Sequence, residues 1–335
     1  MKIGVIGSGA WGSALAQVLI DNGHKVVIYG NSVAQIDDIN NNHKNTTYFK
    51  ENITLPETLK GTLFIDEAIV DSEIIVLSVP TFAMRSVLKQ IRPYLGNKKR
   101  IFINTAKGFE LDSHLTMTQI IKEVIPEEQR YPVASLIGPS HAEEVIVRDL
   151  TCITATCSDE NIAKTIADTF SNHYFRVYTN NDVIGSEIGV AMKNAIALAS
   201  GIIEGLGYGD NARAALVTRG LAEMVRFGVA AGGKLETYLG LTGLGDLVVT
   251  CYSFHSRNFI AGLEIGKANS SKEFLANNKK TVEGINTVKT IYDMSKKMEI
   301  ELPIMYCLYL ILFENQKPSE VSHYLMSRPL KNEKK

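Results

Sequence analysis

The sequence predicts an α/β protein built in two parts: a doubly wound parallel sheet over residues 1–185, followed by an all-α domain over 186–330. Three observations predict it. In the first half, short continuous apolar runs alternate with helical segments, the rhythm of βαβ units buried on both faces. The turn Gly7-Ser8-Gly9-Ala10-Trp11-Gly12 joins the first apolar run to a helix. Near Gly185 the alternation stops, and from Glu187 onward the pattern is almost wholly helical with glycine punctuation. The chain has 335 residues, 45% hydrophobic and 21% charged, which suffices for two hydrophobic cores.

The candidate strands are Lys2–Ile6, Lys25–Tyr29, 74–78, 100–104 and 133–136, with 151–156 and 175–178 extending the sheet. Helices are expected at 13–22, 83–91 and 115–124 between them, and at 187–205 after the boundary near 180–187. The polar stretch 37–45 reads as a surface excursion with His43 in solvent, and the basic tail 331–335 as disordered.

The glycine turn has a physical meaning in this context. Gly7 permits the tight turn, Gly9 lets a pyrophosphate approach the backbone, and Gly12 lets helix and strand pack closely. The following helix end offers unpaired N–H groups and a partial positive charge to a phosphate. Dinucleotide binding follows, against the plainer reading of a glycine-rich turn in an ordinary α/β protein.

Several function classes are excluded. Net charge is −1, so no global basic field suggests nucleic acid. The four cysteines, Cys152, Cys157, Cys251 and Cys307, match no zinc spacing and read as buried free thiols in a reducing cytosol. The seven histidines show no metal-protease spacing, so no metal is expected. The apolar run 304–313 is too short to span a bilayer, where roughly 20 residues are needed.

A dinucleotide-binding sheet binds its ligand outside the carboxyl ends of its strands. There stand Ser78-Val79-Pro80-Thr81, Asn104-Thr105-Ala106-Lys107-Gly108 and Gly138-Pro139-Ser140-His141-Ala142. Lys107 reads as a cation at the crevice rim, or as an ordinary surface lysine. Between Glu187 and Glu204 only Lys193 is charged, in a helix apolar on all sides. A lysine buried there is costly unless it faces a cavity or partner, and desolvation would bring its pKa toward neutrality, as a general acid or base requires. The competing reading is a lysine that snorkels to solvent. Asn194 beside it could position an amide. Asp246, in the loop Thr242-Gly243-Leu244-Gly245-Asp246, is either a helix N-cap or a partner of Lys193. Ser256-Arg257-Asn258 opens a further helix, with a guanidinium fork beside N–H groups, a combination suited to phosphate. His141 lies beside a crevice loop, but a single histidine there is weak evidence.

Together these segments resemble NAD(P)-dependent glycerol-3-phosphate dehydrogenases of the bacterial type. The matching stretches run in the family's order from residue 7 to 284, and include Ala191-Met192-Lys193-Asn194, Asn211-Ala212-Arg213-Ala214-Ala215-Leu216-Val217-Thr218-Arg219-Gly220 and Val282-Glu283-Gly284. The resemblance implies a Rossmann-type first domain and a second domain of the 6-phosphogluconate-dehydrogenase-like type. It implies reversible reduction of dihydroxyacetone phosphate to sn-glycerol 3-phosphate by NAD(P)H, supplying the phospholipid backbone precursor. Lys193 would donate and accept the proton, Lys107 would hold the substrate and order the site, and Asp246 and Thr250 would fix Lys193 and the substrate oxygens. Ser256, Arg257 and Asn258 would take the phosphate, with Asn194 beside them. Gly138, Ser140 and Ala142 would line the cleft. Gly7, Gly9, Ala10, Trp11, Gly12, Asn31, Lys107, Ala142, Arg257, Thr281 and Glu283 would meet the cofactor. The expected partner is a phosphorylated triose; a cytoplasmic homodimer is expected, with neither nucleic acid nor membrane insertion.

The chain departs from the family pattern twice. Ala10 stands where the fingerprint usually has serine, removing a side-chain bond to the pyrophosphate. The second strand leads into Asn31, neither the acid that favours NAD nor the base that favours NADP, so cofactor preference stays open. Two other readings compete: a related β-hydroxyacid-type dehydrogenase with a carboxylate substrate, and a non-enzymatic dinucleotide-sensing protein.

Overall fold

The structure is a computed structural model that describes residues 1–278, 281–330 and 332. Its strands are β1 (Lys2–Ile6), β2 (Lys25–Tyr29), β3 (Lys60–Thr62), β4 (Ile74–Leu77), β5 (Ile101–Asn104), β6 (Ala134–Ile137), β7 (Thr151–Cys157) and β8 (Phe175–Asn180). They form one sheet in the order β3-β2-β1-β4-β5-β6-β7-β8. The first six strands run parallel, and the order reverses between β1 and β4, the point at which a doubly wound sheet opens its crevice. Alternate side chains enter two cores: Ile74 and Val76 on one face, Ile75 and Leu77 on the other. Burial on both faces explains the unbroken apolar runs.

Four expectations need correction. β3 was not foreseen, because Lys60-Gly61-Thr62 carries no apolar signal; it exists through pairing with β2 and through Asn40, whose amide closes on both the N–H and the carbonyl of Gly61. The sheet is also not wholly parallel. β7 runs antiparallel to β6, and β8 parallel to β7. The reason lies in the connection: the short helix Ala142–Val145 packs on the first helix, and the Gln17 side chain donates to the Ile146 carbonyl, so the chain re-enters the sheet without crossing it. Next, 37–45 is not a free excursion. Ile39 and Asn45 are buried, His43 is half-buried, and Asn45 donates at 2.9 Å to both the Ser8 carbonyl and the Ser13 hydroxyl. The stretch is a clamp behind the glycine turn. All four cysteines are free, but Cys152 is exposed on β7 rather than buried. The basic tail lies outside the described residues apart from Asn332.

The longer helices of the first half are α1 (Ala10–Asp21), α2 (Met84–Ile91), α3 (Met117–Val124) and α4 (Glu160–Phe170). After β8 the chain is helical: α5 (Val183–Gly205), α6 (Asp210–Ala230), α7 (Asp246–Cys251), α8 (Arg257–Ala268), α9 (Glu283–Lys297), α10 (Pro303–Phe313) and α11 (Pro318–Met326). α5 is the axis of this part. It begins one turn earlier than expected, capped by the Asp182 carboxylate on the Gly185 N–H, and is buried from Gly185 to Ile202 with α8, α9, α6 and α7 packed around it. By length and composition α5 could cross a bilayer, yet 83% of its apolar window is buried inside the protein, so it is a core helix.

Candidate active site

The parallel strands deliver their carboxyl ends to one edge. At the crevice between β1 and β4, Gly7 adopts φ +115°, which a side chain would strain, and its N–H donates to the Tyr29 carbonyl. A Cβ on Gly12 would sit 2.0 Å from the Gly7 carbonyl oxygen, whereas one on Gly9 would meet nothing within 4 Å. The turn is thus packed tight behind and open in front, where α1 presents its N-terminus with no acidic residue in the first turn. Trp11 Nε1 is buried without a partner among the described residues. Ala10 is the first residue of α1, and Asn31 is exposed just past β2, beside the Ser8–Gln35–Ser32 hydrogen bonds. Open space at a helix end, amide donors and an orphaned indole N–H fit a dinucleotide.

Beyond the ends of β5 and β6 the charges gather. The Asn104 side chain closes the turn after β5, accepting from Ala106 N–H and donating to the Ala106 carbonyl, and this turn presents Lys107. Lys107 Nζ donates to the Gly138 carbonyl (2.7 Å), to Ser140 Oγ (3.4 Å) and to Asp246 Oδ2 (2.9 Å). Lys193, 6% exposed on α5, donates to Thr250 Oγ1 (2.8 Å) and pairs with Asp246 Oδ1 (3.1 Å). Asp246 is not a cap: it is the first residue of α7, and its carboxylate, 1% exposed, bridges the two lysines. Thr250, one turn on, donates its own proton to the Asp246 carbonyl, which leaves an oxygen lone pair for Lys193. The turn before α7 presses so closely on α5 that a Cβ at Gly189 would lie 2.5 Å from the Thr242 carbonyl oxygen.

The electrostatics follow from this burial. Desolvation lowers the Lys193 pKa to about 8, Asp246 opposes that shift, and the neighbouring Lys107 charge reinforces it. Burial pushes the Asp246 carboxyl up, but the charges and hydrogen bonds of Lys107 and Lys193 outweigh it and hold the group below the usual carboxylate range. Two lysines around one carboxylate leave the site net positive when both are protonated, a setting for a developing oxyanion.

A second set of polar groups ties the two halves together. Asn194 donates to the Lys107 carbonyl (3.1 Å), Asn258 donates to Asn194 Oδ1 (2.9 Å), and Gly284 N–H donates to Asn258 Oδ1 (2.8 Å). Glu283 accepts from the hydroxyl (2.7 Å) and N–H of Thr81, and its pKa is raised by burial. The Ser256 oxygen caps α8 by accepting from Phe259 N–H, while Arg257 is exposed beside a cavity of about 720 Å³ that Val282 also lines. Ala142 is buried at the start of its short helix, and Thr281 is half-buried. Among the described residues no group of three or more metal-ligating side chains occurs.

A family model described as NAD-dependent glycerol-3-phosphate dehydrogenase N-terminus matches residues 2–163, and its C-terminus counterpart matches residues 182–323. The chain belongs to this family. It is similar to the glycerol-3-phosphate dehydrogenase (NAD(P)+) of Listeria monocytogenes serotype 4a, at 47% identity over 99% of this chain and 98% of that one. It is 46% identical to the Bacillus subtilis protein of the same name, over 98% and 94% of the two chains. A crystal structure of glycerol-3-phosphate dehydrogenase from Coxiella burnetii superposes with a TM-score of 0.90 at 34% identity, covering 98% of this chain and 99% of the other. The fold is therefore that of the glycerol-3-phosphate dehydrogenases, and the chain is an NAD(P)-dependent oxidoreductase.

In this dehydrogenase the cleft depends on residues that the sequence did not single out. Asn45 is one, and the bond of Thr81, seen only as part of a strand end, to Glu283 is another. A third is Glu187, whose buried carboxylate accepts from Thr118 N–H and hydroxyl, Asn104 Nδ2 and the Ser135 hydroxyl, pinning α5 to β5 and β6. Its only signal was a charge at the start of an apolar helix.

Proposed function

We propose that the chain reduces dihydroxyacetone phosphate to sn-glycerol 3-phosphate with NAD(P)H, reversibly, and that Lys193 donates and accepts the proton. The observation that carries this reading is the unequal use of the two lysines. All three N–H groups of Lys107 are used by protein acceptors, whereas among the described residues Lys193 has two partners, which leaves a third N–H for the substrate. A dinucleotide held by its pyrophosphate at the glycine turn would supply the hydride for C2 from its reduced nicotinamide. Lys193 hydrogen-bonds the C2 oxygen, stabilises the negative charge that grows there, and gives it a proton, so the carbonyl becomes an alcohol. In the reverse direction neutral Lys193 takes that proton back. Asp246 and Thr250 aim the amine, and Lys107 holds Asp246 against the loop of Gly138 and Ser140. Arg257, one residue past the α8 cap, takes the phosphate with the helix N–H groups. Asn194 and Asn258 act through the relay between Lys107 and Gly284, rather than as isolated substrate ligands. The resemblance also carries a cytoplasmic homodimer, for which sedimentation at twice the monomer mass is the check.

The test is an absorbance assay at the nicotinamide band with purified protein, dihydroxyacetone phosphate, and NADH or NADPH in turn. Oxidation of either cofactor supports the reading. No oxidation with this substrate, but turnover with a 3-oxo acid, would favour the β-hydroxyacid alternative.

A further inference from the structure

His141 is a titratable group that the reaction above leaves unused. It stands one residue past Ser140, at the N-terminal boundary of the helix Ala142–Val145, on the loop that Lys107 holds. Its ring is half-buried, and Nε2 is fully buried without a hydrogen-bond partner among the described residues. A buried imidazole nitrogen left unpaired is costly and calls for an occupant. Across the cleft its ring lies 5.6 Å from that of His255, tilted at 51°. His255 is exposed and precedes the α8 cap, two residues before Arg257, and both line the same cavity. His141 therefore sits between the lysines on one side and the phosphate-suited end of α8 on the other.

We propose that His141 is a substrate-positioning residue whose neutral ring donates a hydrogen bond from Nε2 to the phosphoryl group, with His255 as the opposite wall. The proposal rests on the phosphorylated-substrate reading above. The charges facing the ring are Lys193, Lys107, Glu144 and Glu143. Burial is the largest influence on it and lowers its pKa, and both lysines add to the effect. The imidazole is thus neutral at neutral pH, so it adds a directed donor without a third fixed positive charge that would further depress Lys193.

The test compares His141→Phe, which keeps the volume and loses the donor, with His141→Gln, whose amide reaches the Nε2 position. His141→Phe should raise KM for dihydroxyacetone phosphate about tenfold or more, the loss of one hydrogen bond to a charged group, with kcat and the KM for NADH or NADPH little changed. His141→Gln should recover most of that loss. With dihydroxyacetone, which lacks the phosphate, wild type and His141→Phe should have equal kcat/KM. An unchanged KM for the phosphorylated substrate in folded His141→Phe overturns the proposal, as does an equal loss on both substrates. If wild type itself fails to reduce dihydroxyacetone phosphate, the functional reading fails instead, and the two failures are distinct.

Discussion

The two sides of the cleft are built by opposite means. The cofactor side works by removing side chains: Gly7 and Gly12 let the chain close up behind the turn, and Gly9 leaves open space at the start of α1. The chemical side works by burying charge: Lys193, Asp246 and Lys107 meet where three separate stretches of chain converge. The first device is local and tolerates a neighbour such as Ala10, because the backbone does the binding. The second device is collective: each charge is tolerable in the interior only because the other two are there.

The largest expected effect breaks the chemical side alone. Lys193→Ala should lower kcat by about a thousandfold, within the range for loss of a general acid, while dinucleotide affinity measured by fluorescence stays at the wild-type value. Turnover near wild type would remove Lys193 from the chemistry.

Asp246→Asn tests whether the charges depend on one another. It leaves two lysines facing each other without a counter-charge, so thermal or urea unfolding should show a loss of about 3–5 kcal/mol together with the loss of turnover. A stable, inactive protein would mean that the triad is not a mutual arrangement.

Gly9→Ala probes the opposite side. Its φ of −69° suits alanine and nothing lies within 4 Å of the new Cβ, so stability should not change. The methyl group intrudes where the pyrophosphate approaches, and the dissociation constant for the dinucleotide should rise about tenfold or more. If affinity holds, the open front of the turn is not the phosphate seat.

The pH dependence sharpens the contrast further. With the Lys193 pKa lowered to about 8, reduction requires its protonated form and should decline as pH rises through 8, whereas oxidation should rise over the same interval. For stability the sign is separate. The amine binds its proton less tightly folded than unfolded, so its penalty is present below about pH 8 and fades as pH rises toward the ordinary lysine value. Parallel pH profiles in both directions would contradict this assignment.

The smallest effect lies where the sides meet. Thr81→Val removes the hydroxyl bond to Glu283 but not the backbone one, and should cost about 1 kcal/mol of stability with a modest rise in the cofactor KM.

Much of this molecule was legible from periodicity. Seven strands were foreseen as apolar runs, and for the central β1, β4, β5 and β6 burial on both faces is the physical cause of that pattern. β3 was not legible because three residues held by Asn40 need no apolar signal, and the antiparallel β7 was not because direction is decided by how helix Ala142–Val145 docks on α1. Asn45 was read as solvated because its polarity is what a surface stretch shows; only its bonds to Ser8 and Ser13 reveal a buried clamp.

At the site, the sequence by itself determined the glycine turn, the isolated Lys193 in an apolar helix, and Arg257 at a helix start, since each is a local anomaly that composition exposes. Only the tertiary structure decided that Asp246 serves both lysines, that Lys107 is fully bonded while Lys193 keeps one N–H free among the described residues, and that Glu187 anchors the helix carrying Lys193. Those facts join residues between 31 and 139 positions apart in the chain. A hydrogen-bond partner across such a distance leaves no trace in local pattern, because it is chosen by the packing of helices and not by the residues beside it.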